Sequence, residues 1–199
     1  YVYGVPGDYG PYDRLIRAPK AGGPTYELDV SERPETKDKP EGFSAIAVDS
    51  QGIYVTDSSA GRVLRFPLER GKPKSLATKQ EKPYDLALDD ANVYFTLALS
   101  GQLMKVPKAG GAASKLGFGL TKYARIAADA QGIFTVLAGK TDADPQTIIK
   151  LPLDGGNPAP VAPIVAGGAV EAIAVDSACV YWAQYSSDTQ NTKILAKVR

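Results

Sequence analysis

Hydrophobic residues along this chain fall in short runs of four to six, bounded by Gly, Pro, Asp and Ser. β-Branched and aromatic residues dominate the runs, as in "GIYVTD" (Gly52–Asp57), and no longer segment has a persuasive helical period. The pattern therefore predicts a protein built from short β-strands.

The same strand pattern recurs along the chain. A small apolar strand ending in Asp, then a short turn and an aromatic or branched strand, occurs as "AIAVDSQGIYVTD", "DLALDDANVYFTL", "RIAADAQGIFTVL" and "AIAVDSACVYWAQ". The anchor aspartates are 40, 40 and 47 residues apart and are Asp49, Asp89, Asp129 and Asp176. A second landmark, "RAPKAGG", "RFPLERG", "KVPKAGG" and "KLPLDGG", keeps the same phase. Two landmarks in phase indicate a true repeat.

Each repeat predicts four strands, which we name A to D in chain order. Four strands in 40 to 50 residues are typical of a β-propeller blade. We therefore predict an all-β propeller with four-stranded antiparallel blades of about 40–47 residues. The predicted blades are 1–42 (strands B to D and a linker), 43–82, 83–122, 123–168 and 169–199 (strands A to C). This strand count predicts a section of a larger propeller of six to eight blades, with a five-bladed ring as the alternative.

The A–B turn has its own prediction. The anchor Asp can accept hydrogen bonds from backbone amides of the turn, which predicts a structural role in every blade. Three residues after the anchor come Gly52, Asn92, Gly132 or Cys179, a position suited to positive φ. The only cysteine, Cys179, is interpreted as a small buried hydrophobe.

Composition excludes several classes of function. The 23 basic and 22 acidic residues nearly cancel, which argues against nucleic acid as a partner. No apolar run approaches the roughly 20 residues that cross a bilayer, so membrane insertion by this segment is not expected. With no His, the segment offers no imidazole base or His metal ligand, although carboxylates and amides could still bind calcium. A first residue of Tyr1 instead of Met predicts a processed chain, a truncated chain or a fragment.

At "IYVTDSSAGRVLRFPLERG" the chain resembles the YWTD repeats of lipoprotein-receptor propellers. At "GFSAIAVDSQGIYVTD" it is similar to NHL repeats and to the wider six-bladed, TolB-like and gluconolactonase-like group. The resemblance implies an exported bacterial protein, extracellular or periplasmic. Gluconolactonase-like relatives hold a divalent metal with Glu, Asn and Asp in the central channel, and Glu41 is one residue that could serve so here.

Long loops mark the predicted recognition face. The B–C loops Val5–Arg14, Ala138–Thr147 and Gln184–Lys193 lie at one end of the blades with the D–A linkers, including Ser31–Gly42. Tyrosine among polar residues is the mixture that adaptable binding loops use. The candidate binding residues are Tyr9, Tyr12, Asp13, Asp142, Asp144, Tyr185 and Asp188.

A basic residue also recurs in strand C, as Arg17, Arg65, Lys105, Lys150 and Lys197. It could form a cationic band for an anionic partner, or lay its stem between blades for structural reasons. The leading hypothesis is a non-catalytic binding or sensing scaffold for a protein or glycan, with no cofactor required and calcium left open. The alternatives are a calcium-dependent gluconolactonase-like hydrolase and a purely structural module.

Overall fold

The structure is a computed structural model, and it describes residues 2–4, 15–28, 42–69, 71–139, 144–164, 168–186 and 189–199, with backbone only for 2–4. Eighteen strands lie within these ranges, and no helix does. The strands are β1 (Val2–Gly4), β2 (Leu15–Ala18), β3 (Tyr26–Leu28), β4 (Phe43–Asp49), β5 (Gly52–Asp57), β6 (Arg62–Phe66), β7 (Lys74–Ala77), β8 (Pro83–Leu88), β9 (Asn92–Leu97), β10 (Gln102–Pro107), β11 (Ser114–Gly117), β12 (Ile126–Asp129), β13 (Gly132–Leu137), β14 (Thr147–Leu151), β15 (Ala159–Pro163), β16 (Gly168–Val175), β17 (Cys179–Ser186) and β18 (Asn191–Val198).

The strands form five antiparallel sheets, and each strand pairs with its neighbour in sequence. Blade 1 contains β1–β3, blade 2 β4–β7, blade 3 β8–β11, blade 4 β12–β15 and blade 5 β16–β18. The A strands β4, β8, β12 and β16 pack side by side, which makes them the inner strands of the propeller. The prediction of an all-β propeller is confirmed.

The hydrophobic core is divided among the boundaries between successive blades. At the boundary of blades 2 and 3, for example, Tyr54 and Val63 pack with Val93 and Phe95, and all four are fully buried. Similar clusters join blades 1 and 2, blades 3 and 4, and blades 4 and 5. Each blade is therefore stabilised mainly by its neighbours, because a sheet with two apolar faces needs a partner on both.

The positive φ predicted for the position of Gly52 in each A–B turn is found in one blade only. Only Gly132 has a positive φ, at 154°, whereas Gly52, Asn92 and Cys179 do not. Gly52 is needed for a different reason, since a Cβ there would lie 2.7 Å from the carbonyl oxygen of Phe66. Close approach of the C strand, and not a left-handed backbone, explains this glycine.

The recurring basic residues of strand C are out of register in the last blade. Arg65, Lys105 and Lys150 lie opposite Tyr54, Tyr94 and Phe134, the aromatic position of strand B. In blade 5 the equivalent Tyr181 lies opposite Ala196, so Lys197 is shifted by one residue. The prediction that all five occupy one position is wrong for Lys197.

Four of these five basic side chains donate to backbone carbonyls, and Lys150 lies over the Phe134 ring. The Arg17 guanidinium donates to the carbonyl of Leu68 at 2.9 Å, and the Lys105 ammonium donates to the carbonyl of Leu153 at 3.1 Å. Each bond crosses to the next blade. The contacts favour the structural interpretation of this repeated charge.

Candidate functional site

The anchor aspartates organise the end of the propeller where strands A and B connect. Asp49 accepts from the amides of Gln51 and Gly52 at 2.7 and 3.1 Å, and Asp176 accepts from those of Ala178 and Cys179 at 2.8 and 2.7 Å. Asp89 and Asp129 bind their turns in the same way. A carboxylate that accepts amides from the residues just after it closes a tight turn in each of blades 2 to 5.

Two of the four anchors are also bound by a cation from the next blade. The Lys108 ammonium lies 2.5 Å from Asp49 Oδ2 and donates to the carbonyl of Asp89. The Arg199 guanidinium binds Asp129 at 2.5 and 2.9 Å. Burial acts to raise the pKa of Asp49, but the hydrogen bond and charge of Lys108 and the turn amides hold it below its usual 3.8.

The other two anchors bind a tyrosine of their own blade. The Tyr94 hydroxyl donates to Asp89 Oδ2 at 2.6 Å, and the Tyr181 hydroxyl donates to Asp176 Oδ2 at 2.9 Å. The hydrogen bond to Asp176 raises the pKa of Tyr181 to about 12. Since Leu153 follows the strand C proline where blade 3 has Lys108, blade 4 offers no cation to Asp89. Cation-bound and tyrosine-bound anchors therefore alternate from blade 2 to blade 5.

A cavity of about 640 Å³ opens at this end, lined by Asp49, Asp89, Asp90, Asp129 and Lys108, among others. Within the described ranges, no group of three or more His, Cys, Asp or Glu side chains is arranged to hold a metal ion. The anchor carboxylates are already engaged by turn amides, by a cation or by tyrosine. At this end of the propeller, these carboxylates stabilise the turns and the contacts between blades.

The opposite end of the propeller carries the B–C turns and the D–A linkers, and we call it the D–A end. Backbone hydrogen bonds tie the two kinds of connection together: the Ala98 amide donates to the Lys82 carbonyl at 3.0 Å, and the Tyr123 amide donates to the Ala98 carbonyl at 3.2 Å. The B–C turn of blade 3 thus lies between the linkers that enter blades 3 and 4.

An aromatic and basic surface lies at this point, and we call its five residues Lys82, Tyr84, Leu99, Tyr123 and Arg125 the D–A surface. The rings of Tyr84 and Tyr123 meet edge to face with centroids 5.1 Å apart. The Arg125 guanidinium lies 4.8 Å from the Tyr84 ring centroid, and the Lys82 ammonium lies 5.5 Å from that of Tyr123. Tyr123 and Leu99 are 43% and 49% exposed. The exposed Tyr123 ring, held by a cation, is available for contact.

Buried threonines of strand B place this surface. Thr56 donates to the Tyr84 carbonyl at 2.8 Å, and Thr96 donates to the Ala124 carbonyl at 3.0 Å. Each bond runs to the start of the next blade's inner strand, and both threonines are fully buried. The third residue of the YWTD-like strand therefore fixes the backbone that presents Tyr84 and Arg125.

The backbone of the surface is strained. Lys82 and Tyr123 have φ values of 50° and 56°, in the left-handed region that non-glycine residues seldom adopt. Such residues cost on the order of 1 to 3 kcal/mol each and concentrate at functional sites. Four non-glycine residues of the described ranges have positive φ, and two of them belong to the D–A surface.

The charge of the surface is positive at its rim. The linkers contribute four basic residues, Lys79, Lys82, Lys122 and Arg125, against one exposed acidic residue, Glu81. Asp85 lies beneath, and burial raises the pKa of its carboxyl even though Arg125 and the amides of Ile126 and Leu86 act to lower it. An apolar and aromatic centre with a cationic rim suits an acidic partner.

The binding residues predicted from the long loops are only partly described. Tyr9, Tyr12, Asp13, Asp142 and Asp188 lie outside the described residues, as does Glu41. Asp144 is exposed beside the B–C connection of blade 4, and Tyr185 is half-buried near the end of β17. Neither belongs to the D–A surface, so their role in binding stays a prediction.

Sequence reasoning missed the D–A surface because it searched the long loops, whereas these residues lie in short connections and at the start of an inner strand. A signal was present: "EKPYD" and "TKYAR" place Lys and Tyr at the entry to the inner strand of successive blades.

No protein-family model matches the sequence, and no curated protein matches it. Among the solved structures that match is a chain from the crystal structure of a nidogen/laminin complex. The match covers 92% of this protein and 89% of that chain, with 13% identity and a TM-score of 0.62. The shared fold is the β-propeller. At this identity the likeness shows the fold alone. A helix that could cross a membrane is not found in the described ranges.

Proposed function

We propose that this protein is a non-catalytic binding scaffold that recognises an acidic segment of a partner protein through the D–A surface. The observation that carries the proposal is the pair of tyrosine and cation contacts, with Tyr123 exposed and Tyr84 half-buried, held on strained backbone at Lys82 and Tyr123. Tyr and Arg dominate the energetics of protein interfaces. A solved propeller from a protein complex is compatible with such a role.

Three features of the D–A surface support a protein partner. The tyrosine rings supply contact area at low entropic cost, since Arg125 and Lys82 already restrain them. Leu99 adds an exposed apolar side chain in the B–C turn whose Ala98 carbonyl accepts from the Tyr123 amide. The basic linkers give a field that attracts acidic residues and rejects basic ones. The binding needs no cofactor, and we place the protein outside the cell or in the periplasm.

The test begins with selection of random twelve-residue peptides displayed on phage against the intact protein. Selected peptides are synthesised, and their dissociation constants are measured by biolayer interferometry at low and moderate salt. We expect enrichment of Asp and Glu, and binding at least tenfold weaker for Tyr123→Ala and for Arg125→Gln, because each change removes an interface anchor.

The matched control is Tyr26→Ala in blade 1. Tyr26 is 47% exposed and has the Arg17 guanidinium 5.7 Å from its ring centroid, so it repeats the same chemistry away from the D–A surface. Affinity should be unchanged in this variant. Peptides without acidic enrichment, or equal losses in Tyr26→Ala and Tyr123→Ala, would contradict the proposal.

A further inference from the structure

A second cavity lies at the outer boundary of blades 3 and 4, with a volume of about 670 Å³. Its floor is made of buried leucine and isoleucine side chains that belong to the core between these blades, namely Leu103, Leu120, Ile149 and Leu151. Pockets of roughly 300 to 1,000 Å³ with mainly apolar walls are typical of small-molecule sites. This cavity has the size and the lining of such a site.

The cavity lies where strand D of blade 3 ends in a smaller residue than strand D of blade 2, at one position. Gly117 lies opposite Leu103 just as Ala77 lies opposite Val63. Ala77 and Leu76 are buried and close the boundary of blades 2 and 3. A Cβ on Gly117 would lie 3.3 Å from a Leu151 methyl group, so the absent side chain opens the cavity toward blade 4.

The rim joins an exposed aromatic ring to an unpaired cation. Phe118 is 73% exposed, between Gly117 and Gly119, and the Lys115 ammonium lies 4.9 Å from its ring centroid. The described lining contains no carboxylate, and Lys115 makes no ion pair with any described residue. A Phe side chain left in water forgoes the favourable free energy of burying its apolar surface. A bound apolar molecule would give the ring a surface to cover.

We propose that this cavity binds a small apolar carboxylate. The hydrocarbon part of the ligand lies on the leucine and isoleucine floor, and its acid group pairs with Lys115. The Phe118 ring covers the hydrocarbon part. Charge complementarity selects the acid, because Lys115 is the only charged side chain in the described lining. The concave shape favours a small molecule over a protein segment. The site is separate from the D–A surface, so the proposed function and this inference can fail independently.

The test compares sodium decanoate, decylammonium and decanol by isothermal titration calorimetry with the intact protein, below the micelle concentration of each. We expect decanoate to bind about tenfold tighter than decylammonium, since the cation at the rim attracts one head group and repels the other. Lys115→Gln should remove this preference and leave decanol binding within twofold. The matched control Lys79→Gln, an exposed lysine of the D–A end, should leave the preference intact.

A second variant tests the floor independently of charge. Gly117→Leu fills the cavity and should abolish binding of both decanoate and decanol, whereas Phe118→Ala should weaken both several-fold without changing the head-group preference. Far-UV circular dichroism checks that each variant is folded. Equal binding of decanoate and decylammonium, or no binding of decanoate, overturns the proposal. Binding of an acidic leucine-rich peptide in the absence of decanoate binding also overturns it, in favour of a protein partner.

Discussion

The ion pair between Asp49 and Lys108 allows a sharp prediction, because its two partners differ in exposure. The Lys108 side chain is 4% exposed and that of Asp49 is 24% exposed, with the ammonium 2.5 Å from Oδ2. Removing one partner of a buried pair costs about 3 to 5 kcal/mol when the other charge cannot be hydrated. The cost should therefore depend strongly on which partner is removed.

Asp49→Asn leaves the buried ammonium without a counter-charge and turns an amide N–H toward it, so we expect about 3 kcal/mol of destabilisation. Lys108→Leu leaves Asp49 with its two turn amides and with access to water, so we expect about 1 kcal/mol. Leucine also fits the position, since Leu68 and Leu153 occupy it in blades 2 and 4. The double variant should lose about 1.5 kcal/mol, well below the about 4 kcal/mol of independent changes.

The assay is urea unfolding followed by far-UV circular dichroism, with free energies of unfolding from linear extrapolation. Asp89→Asn is the matched control, because Asp89 faces Leu153 and is bound by the Tyr94 hydroxyl instead of a cation. We expect it to cost about 1 kcal/mol or less. The reasoning is refuted if Asp49→Asn costs no more than Lys108→Leu, or if the two changes are additive.

Three further predictions follow from the same structure. Tyr54→Phe should leave the free energy of unfolding unchanged, since the buried Tyr54 hydroxyl has no partner in the described ranges. Tyr94→Phe should cost about 1 to 2 kcal/mol, because it removes the hydrogen bond to Asp89. Both are measured by urea unfolding, and equal costs would contradict this assignment of the two hydroxyls. Gly61→Ala should cost about 2 to 3 kcal/mol, because φ is 64° and its Cβ would lie 2.5 Å from a carbonyl oxygen. Gly22→Ala should cost about 1 kcal/mol, because φ is 84° but the space around it is open. Thermal unfolding ranks the two losses of stability, and the reverse ranking would refute the prediction. The pKa of the Asp49 carboxyl, which Lys108 binds, is lowered, so the stabilisation from this carboxylate is present above pH 3.8 and is lost as pH falls further. The free energies of unfolding of the wild type and of Lys108→Leu, measured between pH 7 and 2, should converge in acid. A constant difference between them would exclude the linkage.

The fold was predictable from the sequence because a blade is a local unit. Strands A to D are joined by short turns, so their order follows from the turn residues and the strand period. Propeller architecture is confirmed by the five sequential antiparallel sheets. The register of the last strand was not predictable from the motif, since "AKVR" lacks the proline that marks the same point in the other blades.

The D–A surface was harder to predict, because its members meet only when neighbouring blades pack. Tyr84 lies at the start of β8 and Tyr123 in the linker before β12, and their contact depends on how far blade 4 turns relative to blade 3. The left-handed backbone at Tyr123 has no sequence signature of the kind that glycine or asparagine supplies. The long loops are conspicuous in the sequence, but length alone does not place a side chain.

The alternation of anchors along the propeller changes what counts as its repeat. A shift by one blade places Lys108 on the position of a leucine, whereas a shift by two blades places it on Arg199 and places Asp49 on Asp129, 80 residues away. A duplication or deletion of one blade would leave a cation facing a tyrosine-bound aspartate, or a cation-bound aspartate such as Asp49 facing leucine. Gain or loss of two adjacent blades preserves the partners seen in blades 2 to 5. For gene duplication and blade grafting alike, the repeating unit of this part of the propeller is a pair of blades.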